Sequence, residues 1–361
     1  MITRKLGLAA SAAALIALPT AAWAEPNVVV SIKPIHSLVA SIMKGVAEPS
    51  LIVQGAASPH TYTLKPSDAR VLENADAVFW VGHGLEAFLE KPLEALPKNA
   101  VVVELEDAPG LTELPFREGG PFEAHDHGDE DHAGHDHHDG EGHDHDDNAK
   151  EAAHAHGDHA HDHKDHAHHE HEKAESKEAG HHHDHDHAHG GTDMHMWLDP
   201  TNAKAMASQI EKTLIEVDPA NKATYEANTK ALMAEIDAVD AEIAASLKPV
   251  ADKPFIVFHD AYQYFERHYN VRVVGSITVS PETMPGAERL SEIQDKISSL
   301  NAACVFAEPQ FEPKLINVVT EGTSAKHGTL DPEGGALEPG PALYGKLMKN
   351  LANSMVECLT Q

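Results

Sequence analysis

Two kinds of hydrophobic spacing alternate along the chain. Short runs rich in β-branched residues occur at 27–32, 51–54, 77–81 and 101–105. Between them, helical stretches cover 34–45, 66–74 and about 85–96. Pro66 opens its stretch, at a position where the first helical turn tolerates proline. Strands alternating with helices predict parallel α/β units. A second set of the same kind follows late in the chain. Strands are expected at 255–258, 271–277, 303–307 and near 328–330, and helices at 261–269, 286–300, 313–321 and 341–359. The two sets are separated by a purely helical region. Asp199 and Pro200 cap a helix to about Val217, with Met206, Ile210, Leu214 and Val217 on one face. After Asp218-Pro219, residues Tyr225, Leu232, Ile236, Val239, Ile243 and Leu247 recur at steps of three, four or seven. That helix would be about 42 Å long at 1.5 Å per residue, too long for a crossover in a small lobe. The fold class is therefore α/β: two similar (β/α) lobes, 25–217 and 249–361, joined by a long rigid helix at 218–248.

Two segments stand outside this pattern. In the first 24 residues, Arg4 and Lys5 precede an apolar stretch at 6–18, and Ala22-Trp23-Ala24 forms a small-residue cleavage site. This is the layout of a secretory signal peptide, with a mature start near Glu25. No cysteine lies at the cleavage site, so no lipid anchor is indicated. The second segment is a His/Asp-rich insert at 123–193. Its stretch 123–189 holds 21 Asp and Glu, four Lys and 23 of the 30 His, and no Val, Ile, Leu, Met, Phe, Trp or Tyr. Such a segment has nothing to bury against its ordering entropy and is expected to be disordered.

The net charge of −31 over 361 residues argues against a nucleic-acid binder, which needs a basic face. Export gives meaning to Cys304 and Cys358, the only cysteines. In an oxidising compartment they are candidates for a bridge, the alternative being two buried thiols.

Seven histidines lie outside the insert. His60 follows the second strand, His259 ends a strongly apolar strand, and His195 lies where an apolar run resumes after the insert. Asp331 follows the last strand of the second set. Strand ends are where parallel sheets hold their ligands, and three imidazoles with one oxygen make a common tetrahedral zinc set. His36, His83 and His268 read as hydrogen-bonded structural residues, and His327 is less settled.

Six motifs occur in order along the mature chain: SPHTYTLKPSD (58–68), HMWLDP (195–200), VFHDAYQYF (257–265), MPGAERL (284–290), CVFAEPQF (304–311) and GTLDP (328–332). Together they resemble the cluster A-I (cluster 9) periplasmic metal-binding proteins, over essentially the whole mature chain. The resemblance implies metal ligation by His60, His195 and His259. Its fourth position falls on Asp331 or a water, because Pro59 occupies the place where a variant of the family carries Glu. Manganese-type members carry Glu where this chain has His259, which favours Zn²⁺. The resemblance also implies a disulfide between Cys304 and Cys358 and a rigid helix between the lobes. The implied partner is the membrane permease of a zinc ABC transporter, with periplasmic zinc chaperones as further candidates. A monomer is expected.

The insert resembles the His-rich loop of zinc-type members. On composition alone it offers many imidazoles beside carboxylates, which bind divalent metal weakly at several sites. The expected function is zinc capture in an interlobe cleft, with the insert as an auxiliary gathering or sensing element. Competing readings are a periplasmic zinc buffer and a secreted zinc hydrolase. The hydrolase is disfavoured by the lack of HExxH or G-x-S-x-G, with Glu308 the best candidate base.

Overall fold

The computed structural model describes residues 25–117, 122, 191–278, 285–311 and 314–360. The expected signal peptide and nearly all of the His/Asp-rich insert lie outside the described residues.

The first set of strands, β1 (Val28–Val30), β2 (Ser50–Leu51), β3 (Ala77–Trp80) and β4 (Val101–Glu104), forms an all-parallel sheet in the order β2-β1-β3-β4. Helices α1 (Lys33–Ile42), α2 (Pro66–Glu73) and α3 (Glu90–Ala95) connect them. The stretch expected as one helix over 85–96 is split into a 3-10 turn at Ala87–Leu89 and the short α3. Pro92 explains the break, since its ring excludes a regular helix through residue 88.

The second sheet repeats the arrangement. Strands β5 (Pro254–His259), β6 (Arg272–Thr278), β7 (Cys304–Ala307) and β8 (Lys326–Thr329) lie parallel in the order β6-β5-β7-β8. Between the sheets in sequence run α4 (Pro200–Val217) and α5 (Lys222–Leu247). Helices α6 (Gln263–Tyr269), α7 (Ala287–Leu300), α8 (Lys314–Thr320) and α9 (Leu343–Thr360) complete the second lobe. Cys304 opens β7 and is bonded to Cys358 on α9, so the disulfide joins the sheet to its last helix. In both sheets the strand order reverses between the first and third strands. Such switch points leave a crevice at the strand C-termini.

Asp199 caps α4, its carboxylate accepting from the Thr201 N–H at 2.7 Å. Helix α5 has 26 residues and buries a single stripe: Tyr225, Thr229, Leu232, Ile236, Val239, Ile243 and Leu247. It packs on α1, α4 and α9, and one hydrophobic core includes residues of the first sheet, α5 and the second sheet. The opposite face of the second sheet has its own core, where Ile256 and Phe258 of β5 meet Ile293 and Ile297 of α7. Side chains alternate along β5, so Phe255 and Val257 enter the first core and their neighbours the second.

Further ties join the lobes. The Lys33 ammonium on α1 donates to the carbonyls of Gly334, Gly335 and Leu337 at 2.8–3.2 Å. The buried Trp197 indole donates to the Pro332 carbonyl at 3.0 Å. Among the described residues, no helix is long and apolar enough to cross a membrane.

Candidate metal centre

Three of the four residues singled out from sequence come together where the lobes face each other. His60 lies on a 3-10 turn, Pro59–Thr61, after β2. His195 precedes the 3-10 turn Met196–Leu198, which delivers the chain into α4. His259 is the last residue of β5, at the switch point of the second sheet. The Nε2 atoms of His60 and His195 are 3.4 Å apart, and those of His195 and His259 are 3.3 Å apart. All three potential ligand atoms lie within 4.8 Å of one another.

Two of the rings are aimed by buried carboxylates. Asp193 Oδ1 lies 2.8 Å from His195 Nδ1 and also accepts from the His195 backbone N–H at 3.0 Å. Glu308, directly after β7, places its oxygens 2.7 and 2.6 Å from His259 Nδ1. A carboxylate fixes the proton on Nδ1, so the Nε2 lone pair points to the common centre. Sequence reasoning places Glu308 at a strand end but not beside His259. Asp193 escapes it altogether, because a carboxylate two residues before a loop histidine has no sequence signature. Residues 191–193, assigned to the insert from sequence, are built into the fold: Thr192 pairs with Pro115, and Asp193 is buried.

Electrostatics separate the imidazoles. Burial pushes the His60 pKa well below its ordinary value, and the two neighbouring imidazoles add to the effect. Burial also pulls on His259, but Glu308, with smaller help from Asp260 and Asp193, outweighs it and leaves that pKa raised.

Asp331 is not part of the three-histidine group. Its oxygens accept from Gln310 Nε2 at 2.9 Å and from the Ala336 N–H at 3.3 Å. The cleft beside His60 and His259 is lined instead by two buried acids, Glu308 and Glu333. Of these, Glu308 pairs with the His259 ring, and Glu333 has no imidazole partner among the described residues. Burial, then the nearby Glu86, Asp331 and Glu308, push its pKa well above the usual carboxylate range. His36, His83 and His268 have hydrogen-bond or ion-pair partners elsewhere, as expected of structural histidines. His327 Nε2 lies 2.7 Å from the Thr320 hydroxyl.

Two parallel α/β lobes that bring together three imidazoles, one from a strand end and two from loops at 3-10 turns, define a solute-binding protein of the metal-ion type. Comparison with known proteins narrows this. Residues 28–358 match the family described as ZnuA, zinc-uptake complex component A, periplasmic, and the chain belongs to that family. It is 55% identical over 335 residues to the high-affinity zinc uptake system protein ZnuA of Brucella suis, covering 93% of this chain and 92% of the relative. Identity to the Yersinia pestis protein of the same name is 35% over 336 residues, covering 93% and 92%. Among solved structures, the fold matches a crystal structure of ZnuA with a TM-score of 0.67 at 23% identity, covering 93% of this chain and 100% of that one. It matches the periplasmic zinc binding protein TroA of Treponema pallidum with a TM-score of 0.66 at 18% identity, covering 93% and 99%. The chain is thus a periplasmic component of zinc uptake and a transport protein, not a hydrolase.

Proposed function

We propose that the protein captures Zn²⁺ on the Nε2 atoms of His60, His195 and His259 and delivers it to the membrane permease of a zinc ABC transporter. The observation that carries this reading is the spacing of the imidazoles. A tetrahedral zinc with Zn–N bonds of about 2.0–2.1 Å separates its nitrogen ligands by roughly 3.3 Å. The Nε2 atom of His195 lies 3.4 Å from that of His60 and 3.3 Å from that of His259, close to this separation. The ligands come from both lobes, so a bound cation draws the lobes together and its departure frees them. That difference is what a permease can read. The fourth position goes to Asp331 or to water, and the hydrogen bonds that already engage Asp331 favour water.

The test is metal analysis with chelator competition on the full chain and on its His259→Ala variant. The tightest zinc should be lost in the variant. Undiminished tight binding would place the metal elsewhere. Delivery is tested by zinc-dependent capture of the permease in detergent. Capture that ignores zinc loading would favour a periplasmic buffer.

The insert at 123–193 is proposed to gather zinc for the cleft, since it carries most of the histidines and ends just before His195. Deleting residues 123–189 should lower total zinc stoichiometry and slow loading while leaving the tightest site. Unchanged stoichiometry would refute this role. The protein is proposed to act as a monomer, with lobes at 25–217 and 249–361 and the linking helix at 218–248.

A further inference from the structure

The two chain segments that flank the insert do more than lead into and out of it. Leu114 and Asp193 are joined by a backbone hydrogen bond of 2.9 Å, Phe116 donates to the Gly191 carbonyl, and Pro115 pairs with Thr192 in an antiparallel bridge. This short ladder lies on α6 of the second lobe. The Tyr264 hydroxyl accepts from the Leu114 N–H at 3.0 Å, and Gln263 Nε2 donates to the Pro115 carbonyl at 2.9 Å. Gln263 also reaches Asp193 Oδ2 at 3.4 Å. At the tip, Arg117 forks across two acids of the second lobe: its Nε and Nη2 engage both oxygens of Asp260, and its Nη1 engages Glu266. The guanidinium also stacks on the Phe122 ring, 3.9 Å from its centroid. Its side chain is 19% exposed and that of Asp260 only 3%, so this is an enclosed, bidentate ion pair.

Both ends of this arrangement terminate at metal-site residues. Asp260 follows His259 directly in sequence. Asp193 is hydrogen-bonded to His195 and is held by Leu114 in the same ladder. Arg117 therefore links the segment that orients His195 to the segment that carries His259, across the two lobes.

We propose that Arg117 is a positioning residue and interlobe latch for the metal site. It touches no ligand atom. It holds the two halves of the site in register, and it must let go of Asp260 and Glu266 before the lobes can part to release the cation. This rests on the reading that Zn²⁺ binds at His60, His195 and His259. A rigid, enclosed ion pair across an opening interface acts mainly on the dissociation rate.

The test is stopped-flow zinc release into excess chelator, using the full chain. The phase belonging to the cleft is identified by its absence in His259→Ala. Arg117→Lys keeps the positive charge and loses the fork; Arg117→Gln loses both. The latch predicts cleft release at least tenfold faster in both variants, with circular dichroism showing that the zinc-free protein is still folded at the assay temperature; some loss of melting temperature is expected, because Asp260 is left buried without its partner. Glu266→Gln, which cuts one arm of the fork from a different residue, should give a smaller acceleration in the same direction. Release within twofold of the parent in Arg117→Lys, with a change only in Arg117→Gln, would show that charge alone matters and overturn the latch. Unchanged release in all three variants would overturn it too. If His259→Ala removes no phase, the failure lies with the metal-site reading instead.

Discussion

Glu308→Gln tests how far a group that contacts no metal sets the affinity. Both oxygens of Glu308 lie within 2.7 Å of His259 Nδ1, and one also accepts from the Tyr262 hydroxyl at 3.2 Å. The whole assembly is buried. Glutamine fills the same volume and keeps one acceptor, but it removes the charge and turns an amide N–H₂ toward a ring N–H. A charge-assisted hydrogen bond of this kind contributes about 1.5–3 kcal/mol. At about 1.4 kcal/mol per factor of ten, the expected rise in the zinc Kd is roughly 10- to 100-fold at pH 7.5. The same carboxylate raises the His259 pKa, and this adds a signature. In the parent protein His259 must lose a proton before it can bind, and that competition grows as pH falls. The variant's imidazole is less basic and suffers less. The ratio of variant to parent Kd should therefore shrink between pH 7.5 and pH 5.5. Chelator competition at both pH values reads the ratio, and circular dichroism melts confirm folding. A Kd within twofold of the parent at pH 7.5, or a ratio that widens toward acid, would refute the reasoning.

Other outcomes are expected. Zinc affinity of the parent should begin to fall at a pH above 6.5, the ordinary histidine value, because the raised His259 pKa governs the onset and the lowered His60 pKa contributes only at stronger acid; equal affinity at pH 5.5 and 7.5 would contradict this. His268 lies 3.1 Å from Asp199 and 2.8 Å from Asp240, and these partners raise its pKa against burial. Its stabilisation is thus complete below pH 6.5 and fades as pH rises through the folded value, so His268→Gln should lower the melting temperature more at pH 5.5 than at pH 8.5, and equal losses would speak against the charged form. The disulfide closes a 54-residue separation, for which loop entropy gives about 4 kcal/mol. Urea unfolding of the Cys304→Ser, Cys358→Ser double variant should show a loss of that order, and a loss under about 1 kcal/mol would set the entropic account aside.

The elements carried by continuous apolar runs are legible in the residue pattern alone. The buried strands β1, β3, β5 and β7 and the stripe of α5 lie where hydrophobic periodicity puts them, because burial on a fixed face dictates residue type at a fixed interval. Sheet order is not legible in this way, since β2-β1-β3-β4 depends on which crossovers pack, and no local pattern encodes that. Among the site residues, His60, His195 and His259 stand out by their places at strand or loop ends. The carboxylate partners of His195 and His259 come from irregular backbone or from elsewhere in the chain, and nothing periodic marks Asp193. Asp331 shows the converse. It follows β8 as its sequence position implies, but its oxygens are occupied by Gln310 and Ala336. Side-chain direction in an irregular loop is set by contacts that residue spacing does not register.

The bridged segments at 114–116 and 191–193 mean that a long insertion enters and leaves the fold through one narrow, hydrogen-bonded gap. A closed gap of this kind makes the inserted length nearly irrelevant to the rest of the molecule, because the closing cost grows only with the logarithm of loop size. In engineering terms it is a grafting port. A fluorescent domain or an affinity sequence whose own ends lie close together could be spliced there and leave both sheets untouched. For a lineage under shifting metal supply, the same port lets the appendage lengthen, shorten or change composition by simple duplication and deletion, without renegotiating the core.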